Sequence, residues 1–353
     1  MISIDWPTLG RRLAFSMIPV TVVMGAAECG LRMADWPSVE GAFEHNTIYW
    51  MTDADLREDP TEHKELSTSS AMVTFPISTD SNGLRAPLHE MEKPDGTLRI
   101  LTMGCSTTFG WGVADDESYP AQLETIIHEH GRTDVEIING GQPGYTSFQG
   151  LWLWDEILQY YHPDIVLLGF VVQDARRAAY TDKSQAILEG DVDFLKRNML
   201  YKSKVYLAMR SMLGKVQVRV KECDPEDPSL DAQDLADQKC DYRVPFSDYA
   251  DNLRSLVEKV EDAGATPIIF GYPLEVGGYT SEHRLILRAA SEELDIPHLE
   301  LQPEMEEAAR SARSAKNYYY FPQDPGHATA LGNEWIAQKV FSWLQQNQWL
   351  EER

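Results

Sequence analysis

Basic residues are scarce in this chain. Its 353 residues carry 31 Lys and Arg against 56 Asp and Glu, for a formal charge of -25. Phosphate backbones are gripped by clustered cations, so a nucleic-acid partner is excluded. Cysteine is rarer still, with only Cys29, Cys105, Cys223 and Cys240. None falls at zinc-ligand spacing, so no structural metal is expected. Internal repeats and low-complexity tracts are absent, which excludes solenoids and arrays. Long apolar runs are missing beyond one near the amino terminus. What remains is 43% hydrophobic residues, enough to fill the core of one large or two small domains.

The single long run is Leu13–Leu31, LAFSMIPVTVVMGAAECGL, behind Arg11 and Arg12. Nineteen residues are just long enough to cross a bilayer as a helix, and membrane helices tolerate a kink such as Pro19 would give. The Arg11-Arg12 pair favours an internal amino terminus with the rest of the chain outside. Residues 1–33 are therefore expected to form a signal-anchor or transmembrane helix. A cleaved signal peptide ending near Gly25-Ala26-Ala27 is the rival. Either implies export, and the anchor reading puts the main domain outside a bacterial inner membrane. Residues 34–97 mix aromatics with turn signals such as Asp80-Ser-Asn-Gly83. They read as an irregular membrane-proximal spacer lying against the main domain, or as part of a substrate groove.

From residue 98 the pattern alternates. Strands are expected at Arg99–Met103, Val135–Ile138, Asp164–Phe170, Thr266–Phe270 and His298–Leu301. Helices are expected at Tyr119–His130, Phe148–Tyr161, Asp248–Ala263, Ser281–Leu294 and Ala330–Gln346. Continuous apolar strands separated by helices predict a parallel sheet covered on both faces, a three-layer α/β/α domain over 98–348. An insertion at about 181–246 interrupts it. The insertion holds a basic amphipathic stretch, Leu195–Val220, readable as a solvated cap helix or as a contact for anionic headgroups. Its acidic loop lies between Cys223 and Cys240, a plausible disulfide in an exported domain.

The stretch Ile100–Val113, ILTMGCSTTFGWGV, organises the rest. An apolar strand ends at Gly104, and Ser106 follows just beyond its carboxyl end, where open parallel sheets gather ligands. Such a serine is a nucleophile only beside a base. Asp324-Pro-Gly-His327 offers one, because an aspartate can hold an imidazole in the tautomer that accepts a hydroxyl proton. Asn139–Tyr145, NGGQPGY, is a glycine-rich loop after the second strand, and Gly169–Asp174 puts the Gln173 amide after the third. Taken singly, each is more simply a turn, a cap or a surface residue. A Cys105 nucleophile is the alternative at the first strand end.

Together, G-C-S, N-x-x-x-x-G, an amide with Asp, and D-x-x-H stand in an order that resembles the SGNH (GDSL-type) hydrolase family over about 98–345. Glu28-Cys-Gly-Leu-Arg32, Asn82-Gly-Leu-Arg85, Thr107-Thr-Phe-Gly-Trp-Gly112 and Gly326-His327 with Ala330-Leu-Gly332 resemble its membrane-anchored bacterial branch. The resemblance implies a flavodoxin-like sheet, a Ser106 nucleophile, a His327 base, an Asp324 orienting acid, and an oxyanion hole from the N–H of Ser106, the N–H of Gly144 and the amide of Gln173. It implies serine ester hydrolysis through an acyl-enzyme, with no cofactor and no metal, on an ester-bearing small molecule, lipid or glycan. Two rivals share the fold: an O-acyltransferase acting on polysaccharide with the same triad, and a catalytically weak binding or assembly module. Cys105 stands where the family has Asp, and Gln173 where it has Asn.

Overall fold

The computed structural model describes residues 6–34, 63–68, 71–178, 181–183, 186, 203–206, 208–209, 241–275, 278–314, 318–321 and 324–351. The chain divides into two units, Met1–Ile48 with Lys183–Lys239, and Tyr49–Asp182 with Cys240–Arg353.

In the first unit, α1 runs Trp6–Met33. Among the described residues no helix is long and apolar enough to cross a membrane. The expected span is thus not shown. Ser16, Thr21, Gly25, Ala26 and Ala27 dilute the apolar run, and Glu28 interrupts it. Glu28 ion-pairs with Arg32 at 2.7 Å and accepts the backbone N–H groups of Lys204 at 3.0 Å and Val205 at 2.9 Å. Its carboxylate thereby caps amide donors that begin a helical turn. Most of the basic stretch, together with Cys223 and Cys240, lies outside the described residues.

The second unit is built on a parallel sheet. Its strands are β3 (Leu98–Gly104), β4 (Val135–Gly141), β5 (Ile165–Leu168), β8 (Thr266–Gly271) and β9 (His298–Glu300), in the order β4-β3-β5-β8-β9. Every neighbouring pair is parallel. Ile100, Leu101, Met103, the whole of β5, Ile268, Ile269 and Phe270 are fully buried. Both faces of these strands are therefore covered, which is why they read as unbroken apolar runs.

The strand order reverses between β3 and β5, so right-handed crossovers send the following helices to opposite faces. Helix α3 (Tyr119–Glu129) packs against α8 (Ala330–Gln346), while α4 (Ser147–Glu156), α5 (Phe246–Asp262) and α6 (Ser281–Leu294) pack in succession. The three-layer α/β expectation holds. Its helix over Phe148–Tyr161 is shorter than expected, breaking at Ile157 into a 3-10 turn, Leu158–Tyr161.

The remaining elements complete the unit. A hairpin pairs β1 (His63–Thr68) with β2 (Ala71–Pro76). Another pairs β6 (Arg177–Ala178) with β7 (Asp241–Tyr242), joining the two ends of the insertion. Helix α7 (Gln302–Ser314) follows β9, and β10 (Tyr320–Phe321) pairs antiparallel with β11 (Asp324–Ala328).

Candidate active site

Ser106 stands at the switch point of the sheet, two residues beyond the end of β3. Cys105 is extended, and Ser106 opens a single helical turn, α2, over Ser106–Phe109. The turn is closed by the N–H groups of Thr108 and Phe109 on the Cys105 carbonyl, at 3.1 and 3.0 Å. Its Thr108 side chain folds back over Gly104 so closely that a Cβ at 104 would collide with it. Glycine is required there for contact rather than for flexibility.

His327 and Asp324 arrive on β11. In a regular strand, residues three apart face opposite sides. Here Asp324 Oδ1 accepts the N–H of Gly326 at 3.2 Å, and the β10–β11 register slips between Tyr320 and Phe321. The resulting kink brings Asp324 Oδ2 to 2.6 Å from His327 Nδ1. His327 Nε2 then lies 2.8 Å from Ser106 Oγ, across 221 residues of sequence. Because the carboxylate can only accept, the proton sits on Nδ1, and Nε2 is left to accept from the serine hydroxyl. Burial alone would raise the Asp324 carboxyl. The hydrogen bond and charge of His327, with the N–H groups of Gly326 and His327, outweigh it and hold the group below its ordinary value.

The far end of β11 is anchored as well. Thr329 caps α8 by accepting the N–H of Gly332 at 3.3 Å, and its own N–H reaches the Tyr319 carbonyl at 2.9 Å.

Gly144 lies in a tight turn, Gln142–Tyr145, closed by the Tyr145 N–H on the Gln142 carbonyl at 3.1 Å. Pro143 fills the second position, and Gly144 has φ +78, as a type II turn demands. Among the described residues the Gly144 N–H meets no acceptor. Asn139, at the head of this motif, is structural. Its Oδ1 accepts the Gly141 N–H at 3.1 Å.

Gln173 is buried, and its Oε1 accepts from Arg243 Nη1 at 3.1 Å. Asp174 beside it is fully buried. Its Oδ1 accepts the Ser147 N–H at 2.8 Å, while Oδ2 has no partner among the described residues. Burial pushes its carboxyl up to about 6. Cys105 is buried against Thr107 Oγ1 at 3.2 Å, and burial raises its thiol as well. Burial that disfavours the thiolate argues against Cys105 as the alternative nucleophile.

Three residues escaped the sequence reading. Arg85, wholly buried, donates to Asp115 Oδ1 at 2.9 Å and to the carbonyls of Phe109, Gly110 and Val113, over the ring of Phe109. It fixes the loop that follows Ser106. Asp182 and Arg243 form a buried pair at the two ends of the insertion. Asn82-Gly-Leu-Arg85 was a visible motif without a role, whereas nothing in the local sequence marked Asp182 or Arg243. Among the described residues no group of acidic, histidine and cysteine side chains is arranged to hold a metal ion.

No family model matches this chain. A curated arylesterase from Vibrio mimicus is 33% identical over 79 residues, which is 22% of this chain. The chain spans about two fifths of the length of that relative. Among solved structures, a mutant acetyl-xylooligosaccharide esterase from Geobacillus is similar over 71% of this chain and 95% of its own, at 14% identity and a TM-score of 0.45. A lipase/acylhydrolase from Enterococcus faecalis is similar over 73% and 99%, at 13% identity and 0.45. A protein of the G-D-S-L family from Desulfitobacterium hafniense is similar over 70% and 99%, at 15% identity and 0.42.

Proposed function

We propose that this protein is a serine ester hydrolase of the SGNH (GDSL) type. The observation that carries the reading is the relay from Asp324 Oδ2 through His327 to Ser106 Oγ, with links of 2.6 and 2.8 Å. These are the distances at which a hydroxyl can pass its proton to imidazole as it attacks.

Ser106 Oγ adds to the ester carbonyl while His327 Nε2 takes the hydroxyl proton. Asp324 stabilises the imidazolium that forms. Negative charge gathers on the former carbonyl oxygen, against the N–H groups of Ser106 and Gly144 and the amide of Gln173. The tetrahedral species collapses, the C–O bond to the alcohol breaks, and His327 returns the proton to the departing alkoxide. Water then repeats the sequence on the acyl-enzyme, giving the free acid and restoring the serine. The substrate is an ester-bearing small molecule, lipid or glycan. Location outside the cytoplasm is part of the proposal and rests on the Arg-led apolar start; cell fractionation checks it.

The test is labelling with a fluorophosphonate probe alongside hydrolysis of p-nitrophenyl acetate. Wild-type protein is expected to label and turn over, and Ser106→Ala to do neither, with activity lost by a factor on the order of 1,000 or more. Equal labelling of both would overturn the assignment of Ser106. Acylated sugar in place of free acid, on adding an oligosaccharide, would replace the hydrolase by a transferase.

A further inference from the structure

The amide of Gln173 has an unsolved orientation problem. A glutamine can present either its oxygen or its NH2 to a developing oxyanion, and only the NH2 helps. Resting on the hydrolase reading above, we propose that Arg243 is a positioning residue that fixes Gln173 as a donor and holds the Gly144 turn in register with it.

A guanidinium has five N–H donors and no acceptor. All five of Arg243 are engaged. Nε donates to Asp182 Oδ1 at 3.0 Å, and Nη2 to Asp182 Oδ2 at 3.0 Å and Gln149 Oε1 at 3.2 Å. Nη1 donates to the Gly144 carbonyl at 2.7 Å and to Gln173 Oε1 at 3.1 Å. One nitrogen thus ties together the two candidate donors outside α2. Rotating the Gln173 amide by half a turn would set its NH2 against the cation, donor against donor. The oxygen is therefore held inward and Nε2 faces away. That Nε2 has no acceptor among the described residues and, unlike the Nε2 of Gln149, is not sealed from the surface. A cation on the carbonyl end also polarises the amide and strengthens its N–H groups as donors.

Arg243 is itself immobilised. Its side chain is 6% exposed and that of Asp182 2%. Its N–H donates to the Arg176 carbonyl and its carbonyl accepts the Asp182 N–H, both at 2.8 Å. Asp182 is fixed in turn by the Thr146 hydroxyl at 2.6 Å. The longer side chain of glutamine suits this arrangement, because it reaches the cation and is held short by it.

The experiment compares full-length wild type, Arg243→Lys, Gln173→Ala, their double variant and Gln173→Glu on p-nitrophenyl acetate, with active sites counted by fluorophosphonate titration. Lysine keeps a cation beside Asp182 but lacks the planar fork. Arg243→Lys is expected to lower kcat about tenfold or more while KM stays within about twofold. The double variant should lose less than the product of the single losses, because both act on one donor. Unchanged kcat in Arg243→Lys, or strict multiplication in the double variant, would overturn the inference. Gln173→Glu leaves the Arg243–Asp182 pair intact and reads the orientation independently of how Arg243→Lys folds. Its second oxygen takes the place of the NH2 and opposes the oxyanion, so kcat should fall below that of Gln173→Ala; a value equal or higher would also overturn it. A wild type that neither labels nor turns over would instead overturn the hydrolase reading itself.

Discussion

Asp174 concentrates the cost of assembling this site in one carboxyl group. It is sealed from water, accepts the Ser147 N–H, and its second oxygen meets no partner among the described residues. Asp182 raises it further and Arg243 opposes that, but burial dominates and pushes it up to about 6. The folded protein therefore binds a proton that the unfolded chain has released, between the ordinary carboxylate value near 4 and about 6. Stability falls as pH rises through that window, and the full penalty, about 2 to 3 kcal/mol, remains at neutral pH. Asp174→Asn keeps an acceptor for the Ser147 N–H and removes the charge. It should raise stability against urea at pH 7.5 and leave it nearly unchanged at pH 4. An equal difference at both pH values would remove the burial argument. Asp324 has the opposite sign: its lowered value contributes stability at neutral pH that is lost on acidification.

Among the elements, the loop after Ser106 depends on a segment read from the sequence as a spacer. Arg85 crosses to Phe109, Gly110, Val113 and Asp115, and Phe75 and Trp111 stack edge to face at 5.4 Å. Residues 75–85 are thus part of the wall of the turn that carries Ser106. Arg85→Met strands several buried carbonyls and should destabilise by about 3 to 5 kcal/mol in denaturant unfolding. It should also open 106–118 to limited proteolysis. A change below about 1 kcal/mol would contradict the clamp.

What the sequence made legible follows from the range of each signal. Strands β3, β5 and β8 are continuous apolar runs, and α8 has a periodic face, so each was visible in its own residues. The Ser106, Asp324 and His327 motifs were visible because the proposed chemistry needs particular residue types beside strand ends. Helix α7 was missed, since its segment QPEMEEAARSARS is rich in charge and its burial is confined to residues such as Met305 and Ala309. Arg85 and Arg243 act on partners 24 to 99 residues distant, and no local pattern records such a contact.

For the molecule as a whole, the insertion is closed at its base. β6 pairs with β7, the Asp182 N–H meets the Arg243 carbonyl, and the Val244 N–H meets the Asp174 carbonyl at 3.3 Å. A neck so joined resembles a domain-insertion site, where the host fold does not depend on what is inserted. Replacing 185–239 by a short Gly-Ser bridge should leave the α/β unit folded, with stability changed by no more than about 2 kcal/mol, the scale of the loop-closure term. Failure to obtain a cooperatively unfolding protein would show that the insertion supports the core. With the neck kept, Arg243 stays in place and Ser106 should still label.

The 221-residue separation between Ser106 and His327 also sets a timetable. On the ribosome the serine emerges early, while its imidazole is encoded close to the final helix. Until that last portion has left the exit tunnel and β11 has docked, a nascent chain carries an ordinary alcohol. Under the proposed function, a chain truncated before β11 should therefore fail to label with the fluorophosphonate probe.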